Sequence, residues 1–134
     1  MKKLKFIALA LCAIIFAACS SPSKSDSPQV IVKEYLDLIK AEKFDKAVKC
    51  FYFKDEVKES ELNALAAKMQ AGYKEKSGID KYEIISEEIE KDENDNAVSG
   101  KVLAKVFYKD GNVEEENISA IKIDGEWKID FSIK

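Results

Sequence analysis

Asp124-Gly125-Glu126-Trp127-Lys128-Ile129-Asp130-Phe131-Ser132-Ile133-Lys134 ends the chain with a turn dipeptide and then strict alternation. Trp127, Ile129, Phe131 and Ile133 fall on one side of an extended strand, and Glu126, Lys128, Asp130 and Ser132 on the other. Successive strand side chains point to opposite faces, so this is a strand with one dry and one wet face. Asp-Gly favours a two-residue hairpin turn in which both residues take positive φ. An antiparallel partner is therefore expected upstream, with Ile123 opposite Glu126, Ala120 opposite Ile129 and Ile118 opposite Phe131.

The same period continues toward the N-terminus. Val98, Val102, Ala104, Val106 and Tyr108 alternate with Ser99, Lys101, Lys105 and Lys109, and Asp110-Gly111-Asn112 forms a turn. A three-residue loop at Asp110 to Asn112 would set Ala104 opposite Ile118 and Val102 opposite Ala120, on the Trp127 face. Tyr82 to Glu90 reads as the first strand, with a bulge where its apolar residues change face between Ile84 and Ile85. Before Asp80 the period is helical instead. Ser27 caps a helix with Pro28 in its first turn, and Val32, Tyr35, Leu36 and Ile39 form its stripe. Phe44, Ala47, Val48 and Phe51 mark a short second helix. Leu62, Leu65, Ala66, Met69 and Tyr73 mark a third, which starts at Glu59 or Ser60 and stops at Gly78.

Helices followed by a strand meander predict an α+β domain over residues 28–134, with the helices on one face of a four-stranded antiparallel sheet. Tyr35-Leu36, then Lys43-Phe44-Asp45-Lys46-Ala47, and the closing Asp124-Gly125-Glu126-Trp127-Lys128-Ile129 carry a resemblance. They are similar to small bacterial lipoproteins of the nuclear transport factor 2-like (cystatin-like) superfamily. The resemblance implies a curved sheet wrapped around a long helix as a cone, and implies little about function. Some such relatives carry a lumazine-binding label that no residue here supports.

The first residues address the domain. Lys2, Lys3 and Lys5 precede the apolar run Phe6 to Phe16, and the small residues Ala17 and Ala18 precede Cys19. This is the order of a secretory signal peptide, 1–18. Its apolar run is too short for a hydrocarbon core that needs about 20 residues. Phe16-Ala17-Ala18-Cys19 resembles a bacterial lipobox, with Phe16 in place of the usual aliphatic residue. That implies cleavage before Cys19, diacylglycerol on its sulfur and a further acyl chain, such as palmitate, on its amine. The polar run after Cys19 completes a flexible tether, 19–27. The expected address is the cell envelope, lipid-anchored. With no acidic residue directly after Cys19, the expectation leans to the outer membrane, on the periplasmic or the external side.

Removing 18 of 134 residues leaves 116, enough for one core. Three of the 22 basic residues go with the signal, so 25 acidic side chains face 19 lysines. That balance argues against a nucleic-acid partner. There is no histidine and no arginine, which removes the commonest general base, the commonest zinc ligand and the bidentate anion clamp. With Cys12 in the signal and Cys19 lipidated, Cys50 has no disulfide partner and reads as a small buried residue. Asp92, Asn94 and Asn96 begin like a calcium loop. Ala97 stands where glycine is required and Leu103 where the closing glutamate would be, so the match fails. No metal or cofactor is expected.

Tyr35, Tyr73, Tyr82, Tyr108 and Trp127 are candidates to line a pocket for a small ligand, with core packing as the alternative. Glu116 is a candidate base on the inward face, opposite Val106 and Ile133. A solvated position beyond the helices is the preferred reading. Lys122 is placed across from Trp127, as a cation–π contact or a snorkelling lysine. Leu103, Phe107, Ile121 and Ile123 are apolar on the outer face and could serve a protein partner or a homodimer. The leading expectation is a membrane-anchored lipoprotein that binds a small ligand or an envelope protein without catalysis. The alternatives are a lyase or isomerase of the ketosteroid-isomerase-like kind using Glu116, and a structural interaction module of the envelope.

Overall fold

The structure, a computed structural model, describes residues 27–130. The signal, Cys19, most of the tether, Phe131 and Ile133 lie outside the described residues. Helix α1 spans Gln29–Lys40 and buries Ile31, Val32, Tyr35, Leu36 and Ile39, the stripe its spacing predicts. Ser27 caps it: its Oγ accepts the Gln29 N–H at 3.2 Å, and Pro28 fills the first turn with φ −66°. The same hydroxyl donates to Glu87 Oε1 at 2.7 Å, which ties the helix start to the sheet. Helix α2 (Phe44–Ala47) and a 3-10 turn (Val48–Cys50) follow and bury Phe44, Ala47, Val48 and Cys50.

Helix α3, Glu59–Glu75, sits differently. Ala66 is its one buried residue, while Leu62, Leu65, Met69 and Tyr73 pack half-buried against the core. Glu61 accepts the Lys58 N–H at 3.0 Å and closes its first turn. At the other end Gly78 N–H reaches Tyr73 O at 2.9 Å and Ser77 N–H reaches Lys74 O at 3.0 Å. This is the Schellman pairing, with Ser77 at φ 66° and Gly78 at φ 83°. Gly78 is the expected stop.

The sheet corrects the sequence reading. It has five strands in the order β1-β5-β4-β3-β2. These are β1 Phe51–Tyr52, β2 Ile79–Lys91, β3 Ala97–Tyr108, β4 Val113–Ile123 and β5 Glu126–Asp130. Strand β1 runs parallel to β5, with Phe51 opposite Ile129, so the sheet is mixed rather than four-stranded and antiparallel. Two residues cannot display an alternation, and their partner lies far along the chain, so no local pattern announces the pairing. The predicted bulge in β2 is present: the register shifts between Ile84 and Ser86, leaving Ile85 47 % exposed.

The closing hairpin has the predicted register, Ile123 opposite Glu126 and Ala120 opposite Ile129. Asp124 at φ 51° and Gly125 at φ 83° make the primed turn that the strand twist favours. The β3–β4 hairpin keeps the predicted faces but is shifted by two residues. Val102 faces Ile118, and Ala104 faces Glu116 rather than Ile118. Tyr108 N–H donates to Asn112 O at 2.8 Å, so the three-residue loop is Lys109 to Gly111 instead of Asp110 to Asn112. Asp110 Oδ1 accepts the Asn112 N–H at 2.9 Å and holds that choice. A shift of two preserves the face of every side chain, but it moves Glu116 from Val106 to Ala104.

Trp127, Val102, Ala104, Val106, Ala120 and Ile129 on the inner face close on the α1 stripe as one core. Trp127 is wholly buried at its centre. Gly100 is where β3 passes under the start of α1. A Cβ there would lie 2.7 Å from Glu88 O and 2.9 Å from Pro28 Cγ.

Candidate functional site

Three of the five aromatic candidates and Glu116 meet where α3 spans the end of β3 and β4. The bulk of α3 rests on α2 and the 3-10 turn, and its last turn brings Tyr73 and Lys76 over the sheet. Tyr73 and Tyr108 lie with ring centroids 6.2 Å apart, and Phe44 flanks Tyr73 at 6.0 Å. Tyr108 OH donates to Glu116 Oε2 at 3.0 Å. Tyr35 lies beneath, buried, its ring 5.4 Å from Phe51. Burial holds the Tyr35 hydroxyl well above its usual range, and Tyr73 and Glu116 add to that. Burial also raises Tyr73, with Glu116 contributing, and raises Tyr108, again with Glu116 next. All three phenols therefore stay protonated and can serve as hydrogen-bond donors.

Lys76 completes the arrangement. Its Nζ is 2.9 Å from Glu114 Oε2 and 4.7 Å from the centroid of the Tyr108 ring. The hydrogen bond to Glu114 raises its pKa despite some desolvation, with Glu116 and Asp110 acting in the same direction. An open cavity of about 340 Å³ lies among Met69, Gly72, Tyr73, Glu75, Lys76, Tyr108 and Glu116. A second, of about 320 Å³, is walled by Phe44, Gln70, Lys74 and Ser77 and shares Tyr73 with the first. Such volumes fall at the small end of ligand sites.

Tyr82 and Trp127 are not part of this group. The Tyr82 hydroxyl turns to Asp37 Oδ1 at 2.7 Å on the outside of α1. Trp127 is sealed in the core, with Lys122 Nζ 5.6 Å from its ring as expected. Glu116 is half-buried and held by Tyr108, neither freely solvated nor enclosed by apolar walls. Neither Lys76 nor Glu114 is among the residues the sequence singles out. The available signal was the spacing of Lys76 three residues after Tyr73, at a helix end.

The remaining candidates resolve plainly. Cys50 is 4 % exposed and burial pushes its thiol up to about 11, the state of an inert core residue. Asp92 Oδ1 accepts the N–H groups of Asn94 and Asn96 at 2.9 and 3.0 Å, so this carboxylate closes its own loop. Among the described residues no group of three acidic or cysteine side chains could hold a metal. Leu103, Phe107, Ile121 and Ile123 share the outer face and are half-buried. Leu103 faces Asn117 and Ile121 faces Ser99, whereas Phe107 faces Val113. Lys81 and Lys105 stand 4.8 and 5.5 Å over Phe107.

Helices leading into a curved mixed sheet, with a cavity between the last helix and the inner face, define a nuclear transport factor 2-like (NTF2-like) fold. The crystal structure of a Campylobacter jejuni protein described as an NTF2-like transpeptidase matches with a TM-score of 0.59 and 15 % identity. The match covers 78 % of this chain and 98 % of that one. It establishes the fold, and the transpeptidase description stays with that protein. Residues 23–130 match the family described as Domain of unknown function (DUF4878), and the chain belongs to that family. No curated protein matches the chain. No helix among the described residues is long and apolar enough to cross a membrane.

Proposed function

We propose that this chain is a lipid-anchored binding domain of the bacterial envelope that takes a small ligand at the Tyr73–Tyr108–Glu116 end of the cone and performs no catalysis on it. The open cavity beside Tyr73, Tyr108 and Glu116 carries the reading. Its walls combine ring faces and Met69 with a few fixed polar groups, the composition of recognition sites. The alternative, Glu116 as a base, calls for a carboxylate ready to take a proton from carbon. Here Tyr108 donates to one of its oxygens, which stabilises the carboxylate and makes it a weaker base. The anchor rests on the lipobox ending at Cys19, and the outer membrane on the residue that follows it.

Native mass spectrometry of the full chain, extracted in detergent from its own envelope, tests the binding half. A co-purifying small molecule is expected, and Glu116→Gln should reduce its occupancy severalfold. Recovery of the protein with an empty cavity from every growth condition would remove the reading. Fractionation tests the anchor. Cys19→Ser should leave the membrane pellet or accumulate unprocessed, whereas a mature-sized variant still in the pellet would show that the lipid is not what holds it.

A further inference from the structure

Lys76 already seats a cation at the edge of the cavity. Its Nζ lies 4.7 Å from the Tyr108 ring centroid and 2.9 Å from Glu114 Oε2. A phenol ring attracts a cation through the negative face of its quadrupole. Tyr108 also donates its hydroxyl proton to Glu116 at 3.0 Å, which pushes electron density toward the ring and strengthens that face. Glu114, Glu116 and Asp110 all act on the one ammonium. An anionic ligand would meet Glu75 and Glu116 on the cavity wall. The electrostatics of the cavity therefore select for positive charge.

The seat is also easily vacated. The Lys76 and Glu114 side chains are 36 % and 41 % exposed, so water competes for their ion pair and holds its strength low. Lys76 follows directly on α3, in which Ala66 alone is buried. Beside it, nothing stands within 4 Å of where a Cβ on Gly72 would be. The helix surface is left open over the cavity, and Met69 offers an adaptable apolar wall.

Building on the small-ligand reading of this cavity, we propose that its ligand is a small organic ammonium, which takes the place of Lys76 Nζ over the Tyr108 ring beside Glu114 and Glu116 while its alkyl part lies along Met69 and Gly72. Lys76 is then an internal competitor that fills the seat when the ligand is absent.

The test titrates the full chain in detergent with pentylammonium, choline and the neutral 1-hexanol, following the Tyr108 ring resonances and binding heats. Both ammonium probes should bind about tenfold more tightly than the alcohol, as expected for one cation–π contact with neighbouring carboxylates. Raising the salt concentration should weaken them. Lys76→Met should tighten both severalfold, because the competitor is gone. Glu116→Gln should weaken them, and Gly72→Leu, which fills the open space while improving helix propensity, should abolish binding without loss of fold. Equal affinity for pentylammonium and hexanol, or ammonium binding unchanged or weakened in Lys76→Met, overturns the proposal. A neutral or anionic molecule that co-purifies and is lost from Gly72→Leu would also overturn it while leaving the binding domain standing. An empty cavity together with no response to any probe would remove both.

Discussion

Tyr108 links the core to the cavity through two different atoms, since its hydroxyl donates to Glu116 and its ring faces both Tyr73 and Lys76. Tyr108→Phe keeps the ring and removes only the donor. It should cost about 1 kcal/mol, seen as a lower urea midpoint at unchanged slope. An unchanged midpoint would mean that water replaces the hydroxyl at no cost. Gly100 shows a different constraint. A methyl group at this position must displace the Glu88 carbonyl or Pro28, at 2.7 and 2.9 Å, so Gly100→Ala should destabilise by about 1–3 kcal/mol. Thermal melting at or above the parent temperature would refute that. The role of Gly100 was not legible in the sequence, because its neighbours come from α1 and β2.

Among the elements, α1 and α3 have similar apolar stripes in sequence but different depths in the fold. Five α1 residues are buried against one in α3. Protection from hydrogen exchange follows buried apolar contact, so α3 amides should exchange well before those of α1 and central β3. Equal protection in a peptide-resolved exchange experiment would show that α3 is bound as firmly as the core. The stripe from Leu62 to Tyr73 was legible as a helix face. Its shallow seating was not, because periodicity reports direction and not depth. The β3–β4 register illustrates the same limit: parity followed from the alternation, but the choice of turn by Asp110 and Asn112 decided the two-residue shift.

For the molecule as a whole, the buried phenols and thiol make stability depend on alkaline pH. Tyr35, Tyr73 and Tyr108 have pKa values raised above the ordinary 10.0, and Cys50 is moved from 9.0 to about 11. Above those ordinary values the unfolded chain loses protons that the folded chain retains, so the folded state loses stability as pH rises. The contribution is complete below pH 9. It declines from there at up to about 1.4 kcal/mol per pH unit for each fully buried group. Alkaline unfolding should therefore set in above pH 10 together with a rise in tyrosinate absorbance, and Tyr35→Phe should make the decline shallower by about one proton. A Tyr35→Phe profile parallel to the parent would show that Tyr35 is not coupled to folding.

By itself the sequence determined what depends on neighbours along the chain. The three helices, the four-strand meander after them, the primed turn at Asp124-Gly125, the β2 bulge and the burial of Trp127 all follow from local periodicity and turn chemistry. The proposed export signal, with its lipid on Cys19, rests on a local reading of the same kind. Only the tertiary structure decided what depends on distant segments meeting. It paired Phe51 with Ile129, set Glu116 across from Ala104, turned Tyr82 outward to Asp37, and brought Lys76 of the α3 terminus over Tyr108. Alternation tells which face a side chain takes. Which partner it meets there is set by loop geometry and by packing between elements that no local window contains.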